Sequence, residues 1–231
     1  MGEHAEWSIG VQQVAWDAVR LAVLASGSGT ILSSMIEQDL PIEVVVVDRQ
    51  CRAEEVAGEA GVAVVRLTRA SFGASFDRPS YTKSLVGVLK ERGIGLVAMA
   101  GFGTVLSGEL FEEYPGRVMN THPALLPEFK GWHAVQAALD AGVEMTGCTV
   151  HIATTEVDDG PILAQEAVPV LEGDTVESLH ERIKEVERRL YPATLKAVLE
   201  AGGDPGSLVG QPRSTKRPAP WESGGESELI R

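Results

Sequence analysis

Two apolar runs in the first quarter of the chain restrict what it can fold into. Arg20–Ala25 reads Arg-Leu-Ala-Val-Leu-Ala, and Ile42–Val47 is β-branched and almost continuously apolar. Strands that are buried on both faces, as in a parallel sheet, carry such runs instead of an alternating pattern. The first run is followed by Ser26-Gly-Ser-Gly-Thr30, which predicts a tight turn into a helix. The two runs therefore predict the beginning of a parallel α/β sheet.

Strand and helix signals continue to alternate up to residue 100. Helices are predicted over about residues 52–60 and 80–92, and strands over residues 62–67 and 95–100. Strands that alternate with helices form an open parallel sheet with right-handed crossovers. We therefore expect an α/β fold with an open, mostly parallel twisted sheet and helices on both faces. Ligands of such sheets bind beyond the carboxyl ends of the strands, where the glycine turn also falls.

The second half of the chain has a different pattern. In residues 143–170 no helix is predicted between the strands, and the sequence indicates two extended segments on either side of Val157–Pro161. Asp174-Thr-Val-Glu177 resembles a capping box with Asp174 in the capping position. Apolar residues with helical spacing then predict one long helix that ends near Glu200.

The first strand and the last helix set the predicted boundaries of the fold. Residues 20–200 are expected to form a single domain. Residues 1–19 precede it and are interpreted as an N-terminal extension, with a weak signal for a short amphipathic helix. Residues 201–231 are rich in Gly, Pro and Ser without periodicity, which predicts a disordered tail.

Charge and composition exclude several kinds of partner. A net charge of −13 argues against nucleic acid and against an anionic membrane surface. No apolar run approaches the length of a membrane span, and the acidic start lacks the basic and apolar regions of a signal peptide. The two cysteines, Cys51 and Cys148, stand in no recognisable motif and fit a reducing compartment. We therefore expect a cytoplasmic protein without nucleic-acid or membrane partners.

Three polar side chains in the second half point to a chemistry. Asn120 can donate to a developing oxyanion, and His122 can move a proton. Because the two are two residues apart, they project to the same side at the end of a strand. Asp158 can orient the imidazole and favour its protonated form. An amide, an imidazole and a carboxylate are the groups needed to transfer an acyl or formyl unit without a metal.

Two of these residues also have simpler interpretations. Taken alone, His122 is explained equally well as a histidine packed in the core. Its place at a strand end near Asn120 favours a role in a functional site. Asp158-Asp159-Gly160-Pro161 is equally well explained as a plain turn, since Asp, Gly and Pro all favour turns. The residues alone do not decide between a turn and a catalytic loop.

The remaining signals are weaker. Gly27-Ser-Gly-Thr30 favours a phosphate held at a helix N-terminus over an ordinary turn. Together with Asp48 it indicates a dinucleotide site only weakly, because the third glycine of that motif is missing. Three scattered histidines show no zinc spacing and are interpreted as packing or surface residues: His133, His151 and His180.

Taken together, these motifs resemble the glycinamide ribonucleotide transformylases, the folate-dependent formyltransferases of purine synthesis. The matching segments are Ser26–Thr30, Ala100–Leu106, Asn120–Pro127, Gly147–His151, Val157–Pro161 and Glu187–Pro192. The combination of Asn-x-His-Pro with Asp-x-Gly-Pro is specific to folate formyltransferases, whereas the glycine turn is not. The resemblance implies a Rossmann-like formyltransferase fold with a phosphate-binding half, residues 20–119, and a folate-binding and catalytic half, residues 120–200.

The resemblance also implies a reaction and the residues that perform it. A formyl group would pass from 10-formyltetrahydrofolate, without a metal, to the amino group of 5-phosphoribosylglycinamide in de novo purine (IMP) biosynthesis. The implied catalytic residues are Asn120, His122 and Asp158. The implied substrate-binding residues are Gly29, Thr30, Ile31, Lys184 and Glu187. The implied folate-binding residues are Arg78, Gly103, Thr104, Val105, Leu106 and again Asn120.

Some positions follow the family pattern and others depart from it. Asp158 is the match, because the family has a variable residue or glycine where Asp159 stands. Ile31 stands where many members have asparagine, which puts one phosphate contact in doubt. Gly103-Thr104 replaces a common Met–Arg pair beside the folate, which is expected to change the shape of the pocket.

Several other functions are compatible with parts of this pattern. A methionyl-tRNA formyltransferase would need a further carboxyl-terminal domain and a basic RNA-binding surface, which this sequence does not offer. A formyltetrahydrofolate hydrolase, a sugar-nucleotide N-formyltransferase and a catalytically idle nucleotide-binding module are further alternatives. The expected partners are small molecules, phosphoribosylglycinamide and a reduced folate. The sequence leaves the oligomeric state open, with a homodimer as one option.

Overall fold

A seven-stranded sheet forms the centre of the computed structural model, which describes residues 19–71, 73 and 75–210. Its strands in chain order are β1 (Arg20–Ala25), β2 (Ile42–Val47), β3 (Ala63–Arg66), β4 (Ile94–Met99), β5 (Val118–His122), β6 (Met145–Ile152) and β7 (Ile162–Pro169). The helices are α1 (Thr30–Glu37), α2 (Arg52–Glu59), α3 (Arg78–Glu91), α4 (Gly108–Glu113), α5 (Ala134–Asp140) and α6 (Val176–Glu200). A 3₁₀ turn follows at Pro205–Leu208.

The order of the strands across the sheet is β3-β2-β1-β4-β5-β6-β7. The strands from β1 to β5 pair in parallel, β6 pairs antiparallel with β5 at one edge, and β7 pairs antiparallel with β6. The prediction of an open, mostly parallel sheet is therefore confirmed. The strand order reverses between β1 and β4, and such a switch point opens a crevice at the carboxyl ends of the strands.

Both faces of the sheet are covered by helices, which explains the apolar runs. Leu21 and Val23 of β1 pack in one cluster with residues of α1, α2 and α6, while Leu24 packs on the opposite face with residues of α3 and α4. These β1 side chains are fully buried. A strand buried on both sides gains from apolar residues at every position, so its bounds are readable from sequence.

The start of α6 differs from the prediction. Thr175 caps the helix: its hydroxyl accepts from the backbone N–H of Ser178, and the Ser178 hydroxyl accepts from the N–H of Thr175. Asp174, the predicted cap, instead binds Arg182 through both carboxylate oxygens at 2.8 Å. The prediction of Asp174 as the capping residue was wrong, because the carboxylate of Asp174 is bonded by the guanidinium of Arg182 within α6.

The predicted tail also needs a correction. Residues 201–210 turn back after α6, and Pro205 and Leu208 of the 3₁₀ turn are buried. Leu208 joins the core cluster that contains α1 and α6, so this part of the chain is ordered, contrary to the prediction. Residues 1–18 and 211–231 lie outside the described residues, and the predicted extension and the rest of the tail stay predictions. No helix of the described part combines the length and the apolar character that a membrane crossing requires.

Candidate active site

The end of β5, the strand next to β4 in the sheet, brings Asn120 and His122 to one side of the strand. The His122 ring is buried, and its Nδ1 lies 3.2 Å from Oδ2 of Asp158. Its Nε2 lies 2.7 Å from the backbone oxygen of Phe129. Each ring nitrogen therefore faces an acceptor, and only the doubly protonated ring donates to both.

Asp158 is held in place by the backbone around it. Its φ of 55° lies in the left-handed region, which non-glycine residues seldom adopt outside special sites. The N–H of Gly131 donates to Oδ2 at 2.9 Å. Burial works against the charge of this carboxyl, but His151, the Gly131 N–H and His122 oppose that effect and hold the pKa of Asp158 below its ordinary value. A carboxylate thus stands beside the imidazole near neutral pH.

The two neighbouring aspartates have different surroundings. Asp158 faces His122, whereas Asp159 is exposed and pairs with Lys130. The segment is a turn, as its composition predicts, and the same turn points one carboxylate into the site. The sequence could not assign the inward position from the residues alone, because both carboxylates are chemically equivalent.

Gly160 is the residue that permits this turn. A Cβ atom at position 160 would lie 1.7 Å from the backbone oxygen of Ile152. We expect Gly160→Ala to displace the Asp158 loop and to lower the free energy of unfolding by about 1–3 kcal/mol, as measured by urea denaturation. Gly73→Ala is the matched control, because Gly73 also lies outside the helices and strands and a Cβ at position 73 meets nothing within 4 Å. Equal stabilities of the two variants would contradict this explanation.

His151 joins the site, which the sequence interpretation missed. Its Nε2 lies 3.4 Å from Nδ2 of Asn120 and 3.6 Å from Oδ1 of Asp158, while Nδ1 lies 3.1 Å from the backbone oxygen of Ile152. The residue is buried, but it is more than a packing residue. The antiparallel pairing of β6 with β5 places His151 directly opposite Asn120, and no local pattern in the sequence reveals that register.

The N-terminus of α1 forms another wall of the same cavity. Gly29 precedes the helix with φ 73°, and a Cβ there would lie 2.9 Å from the Cα of Ala53, so that only glycine fits. No side chain of the described residues caps this helix end. Lys184 of α6 and His180, one turn before it, line the cavity together with Thr30 and Ile31. A helix N-terminus and a lysine that line the same cavity are suited to an anion such as phosphate.

Asp48 has a structural contact instead of the ribose contact that a dinucleotide site would need. It is fully buried, and Arg49 donates to both of its oxygens at 2.9 Å. The hydroxyl of Thr104 donates to Oδ2 at 2.6 Å. Asp48 therefore anchors the loop after β4 and does not line the cavity, so the weak indication of a dinucleotide site was wrong.

The predicted folate-binding residues divide into two groups. Gly103, Thr104, Val105 and Leu106 line the cavity, but the Thr104 side chain is buried against Asp48 and offers no free hydroxyl to a ligand. Arg78 lies in a smaller adjoining depression with Arg69, Phe76 and the exposed Trp132. The prediction that Arg78 belongs to the same pocket as the other residues therefore needs this correction.

The cavity has a volume of about 430 Å³, within the usual range for small-molecule sites. It brings together every other predicted site residue: Gly29, Thr30, Ile31, Gly103, Thr104, Val105, Leu106, Asn120, His122, Asp158, Lys184 and Glu187. Among the described residues, no group of three or more His, Cys, Asp or Glu side chains is arranged to hold a metal ion.

Known proteins share this fold and sequence. The profile described as formyl transferase matches residues 19–195. The phosphoribosylglycinamide formyltransferase of Mycobacterium tuberculosis H37Rv is 45% identical over 188 residues, which cover 79% of this chain and 86% of that protein. The trifunctional purine biosynthetic protein adenosine-3 of Gallus gallus is 40% identical over 193 residues, or 80% of this chain and 19% of that protein.

Solved structures are also similar to this chain. The crystal structure of glycinamide ribonucleotide transformylase 1 from Symbiobacterium toebii superposes with a TM-score of 0.74 and 40% identity, covering 79% of this chain and 88% of that chain. The phosphoribosylglycinamide formyltransferase of Streptococcus pneumoniae TIGR4 gives a TM-score of 0.72 and 37% identity, covering 78% of this chain and 98% of that chain.

Proposed function

The chain belongs to the formyl transferase family, and we propose that it transfers the formyl group of 10-formyltetrahydrofolate to the amino group of 5-phosphoribosylglycinamide in purine biosynthesis. The observation that carries the proposal is one cavity with two chemically different parts. Asn120, His122 and Asp158 line the first, and the N-terminus of α1 with Lys184 lines the second. An acceptor that has both an amine and a phosphate fits this arrangement.

In the proposed mechanism the acceptor amine attacks the formyl carbon and a new C–N bond forms. The formyl oxygen becomes negative in the tetrahedral intermediate. The Asn120 amide and protonated His122 stabilise that oxygen, which competes with the Phe129 carbonyl for the Nε2 proton. Asp158 holds the imidazole through Nδ1. The intermediate then collapses: the bond between the formyl carbon and the folate nitrogen breaks, and a proton from the amine ends on that nitrogen.

The folate would occupy the cavity beside the loop after β4. Gly103, Thr104, Val105 and Leu106 line this part of the cavity. In this proposal the acidic end of the molecule extends toward the adjoining depression, which Arg69 and Arg78 line, and Trp132 lines both spaces. The described cationic and aromatic groups thus support a reduced folate as the formyl donor.

Lys184→Ala tests the phosphate part of the site. We expect the KM for phosphoribosylglycinamide to rise about 10-fold or more with kcat nearly unchanged, because a charge-assisted hydrogen bond contributes about 1.5–3 kcal/mol. Steady-state formyl transfer measures both constants. Lys83→Ala is the control, since Lys83 lies on α3 outside the cavity. An unchanged KM in Lys184→Ala would show that Lys184 does not bind the phosphate of the acceptor.

An assay with competing acceptors tests the function itself. The purified protein is supplied with 10-formyltetrahydrofolate and with phosphoribosylglycinamide, methionyl-tRNA or water alone, and release of tetrahydrofolate is followed by absorbance. We expect rapid release only with phosphoribosylglycinamide, and the net charge of −13 weighs against the tRNA. Turnover with tRNA alone, or equal turnover in water, would refute the proposed acceptor.

A further inference from the structure

Thr121, between the two proposed catalytic residues of β5, makes its own contact with α6. Because side chains alternate along a strand, Thr121 projects to the side opposite Asn120 and His122. Its hydroxyl donates to Oε1 of Glu187. Thr121 and Glu187 both also line the cavity, so the bond joins a residue of the strand to a carboxylate that a substrate can reach.

A second bond fixes α6 on the same strand. Tyr191, one helical turn after Glu187, is fully buried, and its hydroxyl donates to the backbone oxygen of Met119 at 2.8 Å. Met119 and Thr121 are two residues apart on β5, and Glu187 and Tyr191 are four apart on α6, so each pair shares a face. The helix is therefore docked at two successive points, and only the Thr121 contact involves a residue of the cavity.

The Thr121 bond acts on the charge of Glu187. Burial raises the pKa of Glu187 above its ordinary value, and the hydrogen bond from Thr121 and the charges of Lys184 and Arg188 offset only part of that rise. The other titratable groups that interact with it are Cys148 of β6 and Tyr191 of α6. The Thr121 hydroxyl is the uncharged hydrogen-bond donor to Glu187. It lies on β5, whereas Lys184 and Arg188 lie on α6.

We propose that Thr121 is a positioning residue, which holds Glu187 as an oriented carboxylate facing the acceptor in the cavity. This inference rests on the proposed function, in which the acceptor amine must approach the formyl carbon beside Asn120. A carboxylate bonded at one oxygen can accept a hydrogen bond from the acceptor at its other oxygen. Without the hydroxyl, Glu187 would be protonated more readily and would be free to rotate.

Thr121→Val and Thr121→Ser are the matched test, since valine keeps the shape and serine keeps the hydroxyl. In Thr121→Val the pKa of Glu187 rises further, so the loss of kcat/KM on acidification begins at a higher pH than in the wild type. We also expect the KM for phosphoribosylglycinamide to rise roughly 10-fold, since a hydrogen bond to a charged group is lost. Thr121→Ser should restore both quantities to near the wild-type values.

Tyr191→Phe separates positioning from docking. It removes the hydrogen bond to the backbone oxygen of Met119, so it should lower the melting temperature and leave the pH profile of kcat/KM unchanged. If Thr121→Val lowers the melting temperature in the same way with no change in the profile, the contact is structural only and the inference is overturned.

A direct titration makes the inference independent of activity. Carbon-13 NMR of glutamate carboxyls, with Glu187→Gln to assign the signal, gives the Glu187 titration in wild type and in Thr121→Val. A higher midpoint in Thr121→Val supports the inference, and an unchanged midpoint overturns it. If the midpoint rises but the wild-type protein transfers no formyl group to phosphoribosylglycinamide, the proposed function fails while the role of Thr121 in holding the charge of Glu187 stands.

Discussion

Asn120→Ala is expected to reduce kcat for formyl transfer by about 10²–10³, the usual consequence of losing one oxyanion donor. The Asn120 amide lines the cavity and lies 3.4 Å from Nε2 of His151, which helps to fix its orientation. Because the donor acts mainly on the charge that develops in the transition state, the KM for the acceptor should change little. Single-turnover and steady-state rates with both substrates saturating measure the effect.

A second amide provides the control for this result. Gln136 is exposed on α5 and bonds only Asp140 among the described residues, so Gln136→Ala should retain the wild-type rate. A kcat for Asn120→Ala that stays close to the wild-type value would show that another group stabilises the oxyanion. In that case His151, which lies next to Asn120 on β6, becomes the first residue to replace.

Asp158→Asn is expected to reduce kcat by roughly 10²–10⁴, the range found when proton transfer by a positioned group is lost. The substitution keeps the size of the side chain but removes the charge 3.2 Å from Nδ1 of His122. A neutral amide no longer favours the imidazolium, and its NH₂ group can turn the ring out of its orientation. Rates across pH 6–9 with saturating substrates are the measurement.

The chain offers an unusually close control for that variant. Asp159→Asn changes the next residue, which is exposed and pairs with Lys130 outside the site. It should leave kcat near the wild-type value at every pH. Comparable losses in the two variants would mean that the charge of the whole loop matters, and not the contact between Asp158 and His122.

The strands of the sheet were largely predictable from the sequence, because burial on both faces produces a simple pattern. The predicted bounds of β1 and β2 are those of the structure, since every position in Leu21–Ala25 and Val44–Val47 is buried. The short helices α4 and α5 were not predicted, because six or seven residues give too little periodicity. The order at residues 201–210 was missed, since it comes from the packing of Leu208 on a distant cluster.

The site was predictable where one segment carries its residues and not where distant segments meet. Asn120 and His122 share a side of β5, which their spacing alone indicates. The inward turn of Asp158, the place of His151 and the bond from Thr121 to Glu187 depend on how β6, α6 and the loop at 157–161 pack against β5. Their local sequences fit a turn, a packing residue and an exposed helix face equally well.

The fate of the formyl carbon tests the account most directly. The protein is given 10-formyltetrahydrofolate labelled with carbon-13 in the formyl group, together with phosphoribosylglycinamide, and the products are analysed by mass spectrometry. We predict that the label appears on the nitrogen of the acceptor in amounts equal to the tetrahydrofolate released, and that Asn120→Ala and Asp158→Asn slow this transfer. Label released as formate, or label retained on the folate while the wild-type protein is folded and saturated with both substrates, would contradict the account.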